Sequence, residues 1–132
     1  MLTPRMVRAI VLGAFGFASL TAAAPARTAF FHAHLVKSDP AANDTLAAAP
    51  KAMRFWFSER VDLPVTRVKL VNASGVAMKL SAVTRSDTAV AAPVVVGVLG
   101  ALGAGTYTVH WSTAAADGHP QKGEFVFVVK GH

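Results

Sequence analysis

From residue 51 onward the chain is organised by short alternations of apolar and polar side chains. Within residues 51–57, Met53, Phe55 and Phe57 alternate with Arg54 and Trp56, and within 65–71, Val65, Arg67 and Lys69 oppose Val68 and Leu70. Successive side chains of an extended backbone point to opposite faces, so each alternation predicts a half-buried strand. Residues 106–112 set Tyr107, Val109 and Trp111 against Thr108 and His110. Residues 124–130 are apolar on both faces, with Phe125, Phe127 and Val129 on one and Val126 and Val128 on the other. That pattern predicts a central strand covered on both sides. Asn72-Ala73-Ser74-Gly75 and Gly103-Ala104-Gly105 read as turns, and 76–83 as a further strand. The apolar stretch 89–98 is interrupted by Pro93 and Gly97, the mark of an edge or a bulge. Residues 45–50 read as a short helical or irregular turn ended by Pro50. No helical period is sustained over three turns. About seven short strands joined by tight turns predict an all-β fold, an immunoglobulin-like antiparallel β-sandwich of Greek-key type. The aromatic residues Phe55, Trp56, Phe57, Tyr107, Trp111, Phe125 and Phe127 are assigned to its core rather than to a binding platform.

The first residues follow another logic. Arg5 and Arg8 precede an apolar run over 9–20, and small residues follow at 21–26. This is the pattern of a secretory signal peptide. The run makes a helix of about 18 Å against a hydrocarbon core of roughly 30 Å, so no stable membrane anchor is expected. Ala24-Pro25-Ala26 supplies the small side chains of a cleavage site, giving a signal peptide over 1–26 and a mature chain from Arg27. A cut as late as 31 would place the bulky Phe31 at the cleavage position. The leader also explains the composition. The chain is 53% apolar with a mean hydropathy of +0.44, and much of that excess lies in this segment. Net charge is +6, of which Arg5 and Arg8 carry two. The remaining basic residues are scattered singly, without the clustering that tracks phosphates, so nucleic acid is excluded as a partner. With no cysteine, disulfides, thiolate metal sites and cysteine nucleophiles are excluded as well. Ser38, Ser58 and Ser112 sit in no nucleophile elbow.

Histidine carries what chemistry remains. His32-Ala33-His34 stands near the mature N-terminus, and Asp117-Gly118-His119-Pro120 lies between the last two strands. Spacing of i, i+2 on extended backbone puts two side chains on one face, where imidazole and carboxylate tips can converge on one ion. Gly118 lets the loop bend and Pro120 fixes its exit. Such donors suit a borderline divalent ion. Copper(II) binds tightest in the first-row series, and zinc stays open. His110 and His132 read as solvent-exposed.

These residues, taken in order, resemble a known family. His32-Ala33-His34-Leu35, Ser38-Asp39-Pro40-Ala41, Pro50, Phe57-Ser58-Glu59, Gly105-Thr106-Tyr107 with Trp111, Asp117-Gly118-His119-Pro120 and the run 123–127 are similar to the periplasmic copper-binding CopC family, over His32 to Lys130. The resemblance implies a copper-binding β-sandwich over 32–130. It would hold one copper(II) ion through the amine and imidazole of an N-terminal His32 together with Asp117 and His119. Glu59 would stand beside the metal, and His34 is a further candidate for the metal or its surroundings. The resemblance also implies a non-enzymatic carrier or buffer in the periplasm, serving copper homeostasis and resistance, with a CopD-like inner-membrane transport partner.

Two features depart from the pattern. Cleavage after Ala26 leaves His32 internal and without a free amine, whereas a cut at 31 or later trimming exposes it; the sequence leaves both open. A methionine-rich copper(I) loop is also missing, since only Met53 and Met78 lie beyond the leader. Two other functions compete with a carrier: a copper-dependent oxidase or monooxygenase built on a histidine brace, and a metal-free immunoglobulin-like assembly module. Against the oxidase, the Asp117 carboxylate would occupy a position that oxygen needs.

Overall fold

The period-two segments pair into two four-stranded sheets. The computed structural model describes residues 33–89 and 91–131, with Gly13 and Gly16 isolated ahead of them; the rest of the predicted leader over 1–26, His32 and His132 lie outside the described residues. The strands are β1 (Leu35–Asp39), β2 (Thr45–Leu46), β3 (Ala52–Phe57), β4 (Arg67–Asn72), β5 (Thr84–Arg85), β6 (Val94–Gly97), β7 (Gly105–Ala114) and β8 (Pro120–Val129). One sheet has the order β1-β3-β6-β5 and the other β2-β8-β7-β4. The all-β sandwich expected from the alternation is therefore what forms. β8 is an interior strand, as its two apolar faces require.

Both inner faces supply the core. Met53, Phe55, Leu70, Val94, Val96, Val109 and Phe127 are fully buried between the sheets. Phe55 meets Phe125 at a ring separation of 6.2 Å, Tyr107 stacks on Phe127 at 5.6 Å, and Phe57 meets Trp111 edge-on at 5.4 Å. Aromatic pairs in these geometries add to the stabilisation that burial of their area provides. Gly123 faces Trp111 across the β7–β8 pair, and a Cβ there would stand 2.6 Å from the indole Cζ2. The indole thus lies over bare backbone that only glycine offers. Trp56 turns outward instead and carries Lys37 Nζ 4.3 Å above its ring.

Four segments differ from the sequence reading. The stretch 89–98, read as an edge or a bulge, supplies β6, which lies between β3 and β5 because Pro93 falls just ahead of the strand and removes no ladder bond. Residues 76–83 form isolated bridges rather than a strand: Ala77 pairs with Val71 of β4, and Leu80 with Val98 just beyond β6. The segment crosses from one sheet to the other, so neither ladder can continue, yet Met78, Leu80 and Val83 still pack on the core. Residues Thr45–Leu46 are a strand, and they pair with β8 in parallel, which makes that sheet mixed. Val65 closes a 3₁₀ turn, Leu63–Val65, before β4 begins at Arg67; the fixed φ of Pro64 suits the start of such a turn, where an N–H would have no partner within it.

Candidate metal centre

One end of the sandwich gathers the polar chemistry. There β7 runs out into the turn that leads to β8, while the chain leaving β3 passes alongside. Val61 bridges Ala115, and Asp62 N–H donates to the Ala114 carbonyl at 2.9 Å. Below them, the buried hydroxyls of Thr66 and Thr113 are 2.8 Å apart, and Thr66 Oγ1 also donates to the Asp62 carbonyl at 2.7 Å. These contacts fasten the stem of the turn to the segment after β3, so the turn starts from a fixed base.

The turn has its own internal order. Gly118 N–H donates to the Ala115 carbonyl at 2.9 Å, and Gly118 takes a φ of 79°. That left-handed conformation suits glycine and costs other residues a steric clash at Cβ. His119 N–H donates to Asp117 Oδ1 at 3.1 Å, closing an Asx turn. The result brings the two side chains together: His119 Nδ1 stands 3.1 Å from Asp117 Oδ2, with about half of the imidazole and a smaller part of the carboxylate in solvent. Donors bound at about 2.0–2.2 Å in adjacent positions around one ion stand about 3 Å apart, so this couple fits two neighbouring ligands of a small divalent metal. A carboxylate beside a borderline imidazole is a donor set that both copper and zinc accept.

The other predicted residues fall into separate places. His34 is exposed at the start of β1; its N–H donates to Ser58 Oγ at 3.0 Å and its carbonyl accepts from Ser58 N–H at 2.9 Å. Ala33, which follows His32, is 1% exposed and belongs to the core. Glu59 is half-buried and lines a small pocket with Phe57, Arg60 and Arg85. Among the described residues no three His, Asp or Glu side chains gather into a metal-sized cluster. The couple of Asp117 and His119 is therefore the part of the predicted ligand set that the structure assembles. His110 is exposed on the outer face and pairs across the strands with Glu124, Nδ1 to Oε2 at 3.1 Å. Met53 is fully buried, so its thioether is a core group.

Two arginines at this end were not legible in the sequence, where they read as scattered charges. Arg60 Nη1 donates to the Thr88 carbonyl at 3.0 Å, and Arg85 Nη2 to the Val61 carbonyl at 2.7 Å. Burial, and after it the charge of Arg60, lower the Arg85 pKa from the ordinary arginine value. Its group stays charged at neutral pH. Only the folding of β5 toward the segment after β3 brings the two together.

A family model described as the CopC domain matches residues 35–130. The chain belongs to the CopC family. Among the relatives of this CopC domain, protein YobA of Escherichia coli K12 is 33% identical over 116 residues, covering 88% of this chain and 93% of the relative. The copper transport protein CutJ of Bacillus subtilis is 29% identical over 105 residues, which are 78% of this chain but 19% of that longer protein. Of solved structures, PcoC, a methionine-rich copper resistance protein from Escherichia coli, superposes with a TM-score of 0.65 at 29% identity, covering 75% of this chain and 99% of that one. CopC from Methylosinus trichosporium OB3b shares the fold, with a TM-score of 0.69 at 24% identity over 76% of this chain and 96% of that one.

Proposed function

We propose that this CopC domain is a copper(II) carrier or buffer that works outside the inner membrane, with copper as its cargo. The observation that carries this reading is the couple of Asp117 Oδ2 and His119 Nδ1, 3.1 Å apart on a turn whose stem is bonded to the neighbouring segment. The copper-related names of CutJ and PcoC point the same way.

In this reading Asp117 contributes one anionic oxygen and His119 one imidazole nitrogen. His32 supplies the remaining nitrogen donors, through its ring and, where the mature chain begins with it, its amine. The burial of Ala33 and the bonds between His34 and Ser58 support a role for His32, because they tether the residues that follow it. His34 and Glu59, which do not join the couple in the metal-free chain, are the candidates to orient a ligand or a bound water once copper is held. Preorganisation by the Asx turn and Gly118 lowers the cost of gathering the donors. The role is binding and transfer rather than catalysis. Export through the leader over 1–26 would put the domain in the periplasm, where a CopD-like inner-membrane protein would exchange copper with it. Among the described residues no helix is long and apolar enough to cross a membrane.

Titration with copper(II) tests the site. The unmodified chain is expected to bind one ion, and Asp117→Ala and His119→Ala each to weaken binding by more than about 100-fold, beyond what losing an outer-sphere partner costs. Unchanged affinity in both variants would overturn the assignment.

A further inference from the structure

A cleft of about 790 Å³ opens beside the Asp117–His119 turn, with Gly118 on its rim. Its lining joins the two guanidinium side chains of Arg60 and Arg85 to the apolar Leu63, Pro64 and Val65. Each guanidinium spends an N–H on a backbone carbonyl, Thr88 for Arg60 and Val61 for Arg85, and keeps the rest of its fork for another acceptor. Among the described residues neither arginine has a carboxylate within ion-pair distance, although Asp62 also lines the cleft. Two like charges held near each other, one of them half-buried, repel; an anion placed between them relieves that repulsion and accepts charge-assisted hydrogen bonds. The apolar part of the lining is open to solvent, with Val65 48% exposed.

We propose that this cleft binds an acidic peptide segment of a protein partner. A carboxylate of the segment is taken by Arg60 and Arg85, and an adjoining apolar side chain packs against Leu63 and Val65. Planar forks suit carboxylates, and the apolar wall favours a peptide over a free small acid. Because Gly118 separates Asp117 from His119, a segment seated here lies against the metal-holding turn. That the segment belongs to a copper-exchange partner rests on the proposed function; that the cleft takes acidic peptide does not.

The test is run on the metal-free full chain, with an N-acetylated, C-amidated pentapeptide of alternating glutamate and leucine as probe and amide chemical shifts as readout. Saturable binding is expected, with shifts centred on residues 60–63, 65, 85 and 118. Arg60→Gln, which alters an exposed side chain, should weaken it about tenfold, the scale of one charge-assisted contact. Val65→Ser, chosen as a variant that leaves both arginines in place, should weaken it about threefold, and succinate should bind at least about tenfold more weakly than the peptide. Peptide binding unchanged in both variants, no saturable binding, or succinate binding as tightly as the peptide would each overturn the proposal. Copper(II) titration of the same samples keeps the two readings apart. A chain that takes up the peptide but no copper refutes the carrier reading and upholds the cleft; copper uptake without peptide binding does the reverse.

Discussion

The two ends of the sandwich are built from the same strands and differ in where their polar groups point. At the end where β4 turns over, Asn72 Oδ1 accepts from the N–H groups of Ser74 and Val76, at 3.0 and 2.9 Å, and Tyr107 Oη donates to the Gly103 carbonyl at 2.7 Å while its ring stacks on Phe127. Polar groups there close turns. At the other end backbone bonds, Val61 with Ala115 and Asp62 with Ala114, fasten the stem of the turn, and Asp117 closes that turn with one carboxylate oxygen while the other stands beside His119 at the surface. A loop whose stem is held by main-chain bonds can present its side chains in a fixed arrangement toward a ligand. Substitutions at the closed end should therefore cost stability without touching copper, and those at the open end the reverse.

The largest effect expected is at the closed end. Phe127→Ala empties a fully buried site and should lower unfolding stability by about 3–5 kcal/mol in denaturant titrations, with copper affinity of the folded fraction unchanged. Gly123→Val tests the boundary between the ends, because its side chain would meet Trp111 head-on and the ring cannot move without disturbing Phe57. A loss of about 1–3 kcal/mol is expected by the same measurement. Gly118→Ala, at a φ of 79°, should cost about 1 kcal/mol and weaken copper binding as well, since strain in the turn displaces the couple. Asp117→Ala should cost no more than about 1 kcal/mol, the scale of the lost turn hydrogen bond, while removing most of the copper affinity. A closed-end variant that lost copper while folded, or Asp117→Ala unfolding the domain, would break the contrast.

Much of this was readable from the residues. Period-two patterns located β3, β7 and β8 and identified β8 as an interior strand, because alternation is imposed by the pleat itself. Asp117-Gly118-His119-Pro120 located the Asx turn that brings Asp117 and His119 together, since an Asx residue, a glycine and a proline in that order have few ways to fold. The 76–83 crossing was not legible. Its apolar residues are core residues, as a strand's would be, and what separates the two is the path between the sheets. The parallel pairing of Thr45–Leu46 with β8 escaped for a related reason: two residues are too few to show a period. Arg60 and Arg85, 25 positions apart in the chain, share a cleft only through tertiary structure.

The central claim is that Asp117 and His119 hold the cargo together. Electron paramagnetic resonance of the chain loaded with one equivalent of copper(II), alongside His119→Ala, tests it most directly. The account predicts a tetragonal spectrum with coupling to at least two nitrogens, one of which disappears in the variant. Identical spectra from the two proteins would contradict it.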